Sequence, residues 1–379
     1  MEHTASKKIL FLPFLQIPSG HYQAAKAIMD GIAEKQPKVE CEVVDILSYT
    51  FGKMEKAVSQ IYLRWIHTFP RLYSLVYRLN VNTGTKVEKQ FKLYEWLFLK
   101  AMRNLLDEKT PDLIVCTHGL PSYLLNILKG RGEVHVPVVN VYTDYFIHQV
   151  WGKKSIDFHF APTKEAGDFL ASAGISENRI YVTGIPIHPS IRKKSLADKK
   201  KNSSRLSVLV TGGSLGIGSI EQTVSRVGER GGIQYSILCG TNKGLYERLK
   251  ALGKRNVKPL EYIRCRKEMN KLYDSVDAIV TKPGGVTLSE CLFKRLPIFI
   301  FHALPGQEEF NLQTLEKLGV IMRLDADTDG GQEIERHIAG FFKNSRSVEK
   351  YKEKVNNYLE TITPRCPEDI VLDLLYGEK

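Results

Sequence analysis

Short apolar runs, each closed by a break and followed by a polar segment with helical spacing, recur along the whole chain. Residues 8–47 read as strand, turn, helix and strand, with the helix on HYQAAKAIMDGIAEK and the second strand on 43–47. Further apolar runs at 112–116, 137–142, 158–161 and 179–182 read as strands. The pattern then restarts. A strand at 207–211 leads into the turn Gly212-Gly213-Ser214 and a helix through about residue 229. Strands follow at 237–239, 257–261, 278–281 and 297–301, and from Asn311 onward the spacing is mostly helical. Strands alternating with helices predict an α/β fold with parallel sheets. The first turn lacks GxGxxG, so the opening unit is no dinucleotide fingerprint.

A chain of 379 residues suits two domains, each with its own core. The basic polar run RKKSLADKKKNSSR at 192–205 has no apolar periodicity and reads as a linker. The division is therefore an N-terminal domain at 1–191, a C-terminal domain at 206–345, and terminal helices at 346–379. Residues 9–15 after Lys7-Lys8 mimic a short signal peptide, but no small-residue cleavage site follows, and a first buried strand explains them better. No apolar run approaches about twenty residues, so no membrane-spanning helix is expected. The six cysteines are scattered with no CxxC, which suggests reduced thiols rather than a disulfide or zinc framework. A net charge of +12 suggests an acidic partner: an anionic membrane surface, a nucleic acid or a phosphorylated ligand.

The densest candidate chemistry lies at 277–311, DAIVTKPGGVTLSECLFKRLPIFIFHALPGQEEFN. A strand, the turn at Gly284-Gly285 and a helix N-terminus make a place for an anion. Backbone N–H groups and the positive helix end point out of the turn, and glycine lets a ligand come close. Glu290 lies one helical turn further in, where a carboxylate can accept both hydroxyls of a ribose. Thr287 and Glu290 also have capping-box spacing, in which the acid only closes its own helix, and spacing alone leaves both readings open. His21 opens a helix after Ser19-Gly20. There the dipole disfavours imidazolium and keeps a base available, although a lone histidine is often structural. Asp144 and His118 stand at strand ends, the ligand-binding edge of an α/β sheet. Asp144 can orient His21 or take a proton; His118 can do the same or simply pack.

Residues 51–103 hold Tyr62, Trp65, Phe69, Tyr73, Tyr77, Phe91, Tyr94, Trp96 and Phe98. Lysine and arginine dominate there, against the acids Glu55, Glu88 and Glu95. Basic-aromatic amphipathic helices suit an interface carrying anionic lipid. A core-facing helix with a solvated basic face has the same periodicity. No nucleic-acid module accompanies the charge, so no nucleic-acid partner is expected.

The strings TKPGGVTLSE and PGQEEFN resemble the nucleotide-sugar site of glycosyltransferase family 28, in particular its processive diacylglycerol glucosyltransferases and monogalactosyldiacylglycerol synthases. Thr143-Asp144, His148 and Trp151 fit the spacing of the same family. The resemblance implies the GT-B architecture: two Rossmann-like parallel-sheet domains facing across a cleft, with the helices at 346–379 crossing back to the first domain. It implies His21 as general base supported by Asp144. It places donor phosphate at Gly212, Gly213 and Ser214 and at Gly284, Gly285 and Thr287, the base at Tyr262 and Ile263, the ribose at Glu290 and the sugar at Gln307 and Glu308. Gly20, His118, His148, Trp151 and His188 become acceptor or phosphate contacts. Two positions depart from the family pattern: Pro18-Ser19, where a glycine is common, and His188, where an arginine is frequent.

The reaction so implied moves a hexose from a UDP-sugar to the hydroxyl of diacylglycerol or a glycosyl-diacylglycerol, with inversion and without a metal or other cofactor. The enzyme would be cytoplasmic and peripheral on the inner face of the cell membrane, with 51–103 facing membrane and acceptor lipid. A transferase with a polyprenyl-linked or soluble acceptor, a non-catalytic UDP-sugar-binding regulator and a UDP-sugar epimerase are the alternatives. Asp325-Ala326-Asp327 matches the short DxD metal signature, but it sits in an acidic polar stretch expected to be a solvated loop.

Overall fold

The computed structural model describes residues 6–14, 19–51, 92–191, 205–213, 220, 232–304, 306–324 and 331–377. The chain divides into two compact units, one of Met1–His188 with Thr361–Lys379 and one of Pro189–Glu360. The linker run at 192–204, the DxD at 325–327, Pro18, Ser214 and most of the aromatic stretch lie outside the described residues.

In the first unit the order is β1 (Lys8–Leu12), α1 (Gly20–Lys35), β2 (Glu40–Val43), α2 (Ile46–Phe51), α3 (Lys92–Lys109), β3 (Leu113–Cys116), α4 (Gly119–Gly130), β4 (Val138–Val141), β5 (Phe158–Ala161), α5 (Lys164–Ser172) and β6 (Ile180–Val182). The strands form one parallel sheet, ordered β2-β1-β3-β4-β5-β6. Strand side chains alternate between faces, and here both faces are apolar because helices cover both. Leu10, Leu12, Ile114 and Cys116 pack under Phe98 and Met102 of α3 and Leu124 and Leu128 of α4. Ile9, Phe11, Leu113 and Val115 pack under Ile28 and Ile32 of α1 and under α12 (Pro367–Tyr376). The apolar run at 43–47 is not one strand. β2 stops at Val43, and Asp45 accepts from the Leu47 N–H (2.9 Å) and the Ser48 hydroxyl (3.0 Å), which starts α2. A capping aspartate inside the run outweighs the strand propensity of its neighbours.

The second unit runs β7 (Leu206–Thr211), β8 (Ile233–Leu238), α6 (Lys243–Ala251), β9 (Val257–Leu260), α7 (Arg266–Ser275), β10 (Ala278–Thr281), α8 (Gly285–Phe293), β11 (Ile298–Ile300), α9 (Gln307–Leu318), β12 (Met322–Arg323), α10 (Gly331–Lys343) and α11 (Ser345–Glu360). Its sheet is parallel and ordered β12-β11-β10-β7-β8-β9, the doubly wound Rossmann order. Two residues are too few for a period-2 signal, so β12 has no counterpart in the sequence reading. The resemblance places the crossing helices from residue 346; α11 instead stays with the second unit, where the Tyr351 hydroxyl donates to the Leu296 carbonyl (3.0 Å). The return to the first unit begins at Thr361, and α12 docks on α1 through Lys35 to Glu368 (3.1 Å) and Asp369 (2.6 Å).

Candidate functional site

A doubly wound sheet binds ligands where its strand order reverses, at the carboxyl ends of the strands. In the first unit that point lies between β1 and β3, whose last residues Leu12 and Cys116 are paired. The turns leaving these strands carry His21 and His118. Ser19 caps α1 by accepting from the Tyr22 N–H (3.3 Å), so the residue standing where glycine is common makes the helix start. Gly20 is exposed at that start and His21 follows, half-buried.

The His21 ring is fixed by its Nδ1, 2.9 Å from the Thr117 carbonyl oxygen and 2.6 Å from the Thr143 hydroxyl. A carbonyl only accepts, so Nδ1 carries the hydrogen and Nε2 carries the lone pair. Burial pushes the His21 pKa below its ordinary 6.5, and the negative charge of Asp144 and the Thr117 carbonyl offset part of that. Asp144 is buried at 6% exposure just past β4. Its charge acts on His21, and Thr117 and Thr143 hold the His21 ring at Nδ1.

His118 caps α4, its Nδ1 accepting from the Leu120 N–H (3.1 Å). Its ring stacks on Phe14 (4.5 Å) and meets His21 edge-on (4.7 Å). Burial, then the neighbouring His21 and His148, hold His118 well below the usual histidine range. His148 accepts from the Val150 N–H (3.3 Å), lies 6.1 Å from the Trp151 ring, and is pushed by burial down to about 3. A Cβ at Gly119 would come 3.0 Å from His148 and 3.5 Å from Trp151, so glycine lets these rings close over the start of α4. His118 and His148 are thus neutral rings whose Nδ1 atoms serve the backbone; the arrangement suits His21 alone to take a proton. His188 stands apart. Its Nε2 lies 2.9 Å from Asp30 of α1, an engagement within the first unit that its motif position did not signal.

In the second unit the strand order reverses between β7 and β10, and Thr211 pairs with Thr281. Two glycine turns therefore leave the sheet side by side. Gly213 has φ of 79°, and its N–H donates to the Thr211 hydroxyl (3.2 Å). A side chain there has room but is strained by the left-handed backbone. In the other turn the Gly284 N–H donates to the Lys282 carbonyl (2.8 Å), and the Asn311 amide holds the Pro283 carbonyl (3.0 Å). α8 starts at Gly285 with Gly284 as N-cap and no side-chain cap, so its first N–H groups face outward at the positive helix end.

That start overturns the capping-box reading. The glycines begin the helix two residues before Thr287, which lies inside the first turn, and the Glu290 carboxylate turns away to α7. Glu290 is 3% exposed, takes Arg266 Nη1 at 3.2 Å on Oε1, and accepts from the Tyr273 hydroxyl at 2.8 Å on Oε2. Burial raises its pKa, while Arg266 and Tyr273 pull it back. Burial and the Glu290 charge raise the Tyr273 phenol well above its ordinary value, which keeps it a donor. Half of a capping box exists one helix later, where the Glu309 carboxylate accepts from the Gly306 N–H (3.4 Å). Gly306, with φ of 100°, is the N-cap of α9 and Glu309 is its acid. Glu308 is held instead by Lys282 Nζ (2.9 Å) and the Leu304 N–H (2.8 Å), beside half-buried Gln307. Tyr262 and Ile263 lie half-buried between β9 and α7.

The structure thus adds Thr117, Thr143, Arg266, Tyr273, Lys282 and Asn311 to the residues named from sequence. Lys282 and Asn311 stand inside the quoted strings and were open to notice. Arg266 and Tyr273 are seven residues apart, two turns of one helix face, a spacing with no meaning until the opposing carboxylate is known.

Comparison with known proteins follows this geometry. The family model for monogalactosyldiacylglycerol (MGDG) synthase matches residues 21–187, and that for the glycosyltransferase family 28 C-terminal domain matches 207–362. The chain is 42% identical, over 98% of both lengths, to an uncharacterized glycosyltransferase, YkoN, of Bacillus subtilis (strain 168). It is 27% identical to a processive diacylglycerol beta-glucosyltransferase of Bacillus cereus (strain AH187), over 82% of this chain and 80% of that one. Among solved structures it is similar to MurG of Acinetobacter baumannii (TM-score 0.61, 14% identity, 98% and 99% of the two chains). It is also similar to the S. aureus MnaA–UDP co-structure (TM-score 0.58, 16% identity, 98% of both). At such identity these likenesses show the fold, that of the GT-B class. The chain itself belongs to glycosyltransferase family 28.

Proposed function

We propose that the protein is an inverting, metal-independent transferase that moves a hexose from a UDP-sugar to the hydroxyl of diacylglycerol or a glycosyl-diacylglycerol. The observation that carries this reading is the pair of glycine turns at the β7–β10 reversal, opening on an uncapped helix start with a buried carboxylate one turn further in. Backbone N–H groups at the uncapped start of α8, Gly285 to Thr287, suit a diphosphate, Glu290 suits a ribose, and Gln307 with Glu308 suits the sugar hydroxyls. The acceptor hydroxyl gives its proton to His21 Nε2 as its oxygen bonds to the anomeric carbon. The bond from that carbon to the diphosphate oxygen breaks, and its electron pair leaves with UDP. The growing charge on the leaving group is met by helix N-termini and backbone amides.

The diacylglycerol acceptor is supported by the names of the Bacillus cereus relative and of the N-terminal family model. A seat on anionic membrane is supported by the net charge and by Trp96 and Leu97 of α3, which are 77% and 38% exposed. Among the described residues no helix is long and apolar enough to cross a membrane. The test is incubation of the purified protein with UDP-glucose or UDP-galactose and vesicles of diacylglycerol with anionic lipid. Glycolipid is expected, with co-sedimentation that weakens at high salt. Free UDP without glycolipid would point to another acceptor. UDP binding without turnover would point to a UDP-sugar-binding regulator.

A further inference from the structure

α7 and α8 meet through charge. Arg266, Asn270, Tyr273 and Asp274 recur at helical spacing on one face of α7, opposite Glu290 and Lys294 one turn apart on α8. Glu290 and Lys294 are only 3% and 4% exposed, and Tyr273 2%. Arg266 and Tyr273 hold one oxygen each of Glu290, while Lys294, the C-cap of α8, reaches the Asn270 side-chain amide oxygen (2.9 Å) and the Asp274 carboxylate (2.7 Å). A buried ion pair is a poor source of stability beside apolar packing of the same volume, so what such a ladder supplies is one fixed orientation.

A carboxylate has about four acceptor positions, and these two bonds occupy one on each oxygen. The ladder's two halves differ in what they hold. Lys294 joins α7 to α8 at a point away from the glycine turn. Glu290 sits one turn inside α8, and Tyr273 and Arg266 fix the direction of its carboxylate from α7.

We propose that Tyr273 and Arg266 are positioning residues that set selectivity for a ribonucleotide, by holding the Glu290 carboxylate so that its remaining acceptor positions meet the two ribose hydroxyls. This rests on the reading of Glu290 as the ribose contact. The selectivity is bidentate: both oxygens face the sugar edge, and losing the Tyr273 hydroxyl leaves the carboxylate anchored only at Oε1 and free to turn as a unit about its Cγ–Cδ bond.

The test is calorimetric titration of the full-length protein with UDP and with 2′-deoxy-UDP, taking the ratio of the two Kd values. The wild-type protein is expected to prefer UDP by at least about tenfold, the loss that goes with one hydrogen bond to a charged acceptor. Tyr273→Phe, which keeps the ring, is expected to cut that preference by about threefold or more. Lys294→Met, which breaks the other half of the ladder, is expected to lower the melting temperature and leave the preference intact. Glu290→Gln separates the two claims. If it preserves the wild-type preference, the ribose reading of Glu290 fails and this inference with it. If it lowers the preference while Tyr273→Phe does not, the ribose reading stands and the positioning role is overturned.

Discussion

A histidine becomes a usable base when one ring nitrogen is committed and the other is bare. Thr117 supplies that commitment for His21, and its carbonyl cannot be read from composition because every residue has one. The sequence shows the histidine, the helix start and the nearby acid. It hides the partner, which lies 96 positions away and meets His21 only because β1 and β3 are neighbours. The direction of the His21 shift gives a sign. Burial lowers the folded-state pKa, so the base form persists below the ordinary 6.5 and is lost only as pH falls further. The acid limb of kcat/KM is therefore expected below pH 6.5. Asp144→Asn removes a charge that favours imidazolium and is expected to move that limb lower still. His21→Ala is expected to lose turnover by at least about a hundredfold and to lose the limb, while UDP binding is kept. A limb that stays in place in His21→Ala would assign it to another group.

At the scale of elements, the continuous apolar runs read correctly as strands, fully buried in β3, β4 and β10, where a parallel sheet covered on both faces needs no alternation, and only half-buried in β6. Departures occur where a single residue redirects the backbone. Asp45 turns a predicted strand into the start of α2, and Gly284 starts α8 earlier than Thr287 spacing implies. The seat of α12 on α1 was only loosely legible, since amphipathic spacing shows that a helix packs but not on what. Gly31 marks the contact: a Cβ there would come 2.8 Å from both Cγ and Cδ of Glu368, whose carboxylate Lys35 holds. In a helix interior Gly→Ala ordinarily gains about 1 kcal/mol. Gly31→Ala is instead expected to destabilise the wild-type protein in urea unfolding. In a Glu368→Ala background, where the obstruction is gone, it is expected to stabilise by roughly that 1 kcal/mol. The same effect in both backgrounds would show that Glu368 is not what excludes a side chain at residue 31.

For the whole molecule, two doubly wound units were legible because the strand–helix pattern restarts after a basic linker. The point where the chain returns was not, because α11 and α12 are both amphipathic and only their partners tell them apart. The charge of the chain narrowed the partner class without choosing among anions, and the aromatic stretch that would choose lies mostly outside the described residues. What remains central is that a nucleotide diphosphate seats on the uncapped start of α8. A crystal structure of the protein with UDP tests this most directly. The account predicts phosphate oxygens within hydrogen-bond distance of the Gly285–Thr287 N–H groups, with the ribose against Glu290. UDP bound in the second unit away from α8, or in the first unit, would contradict it.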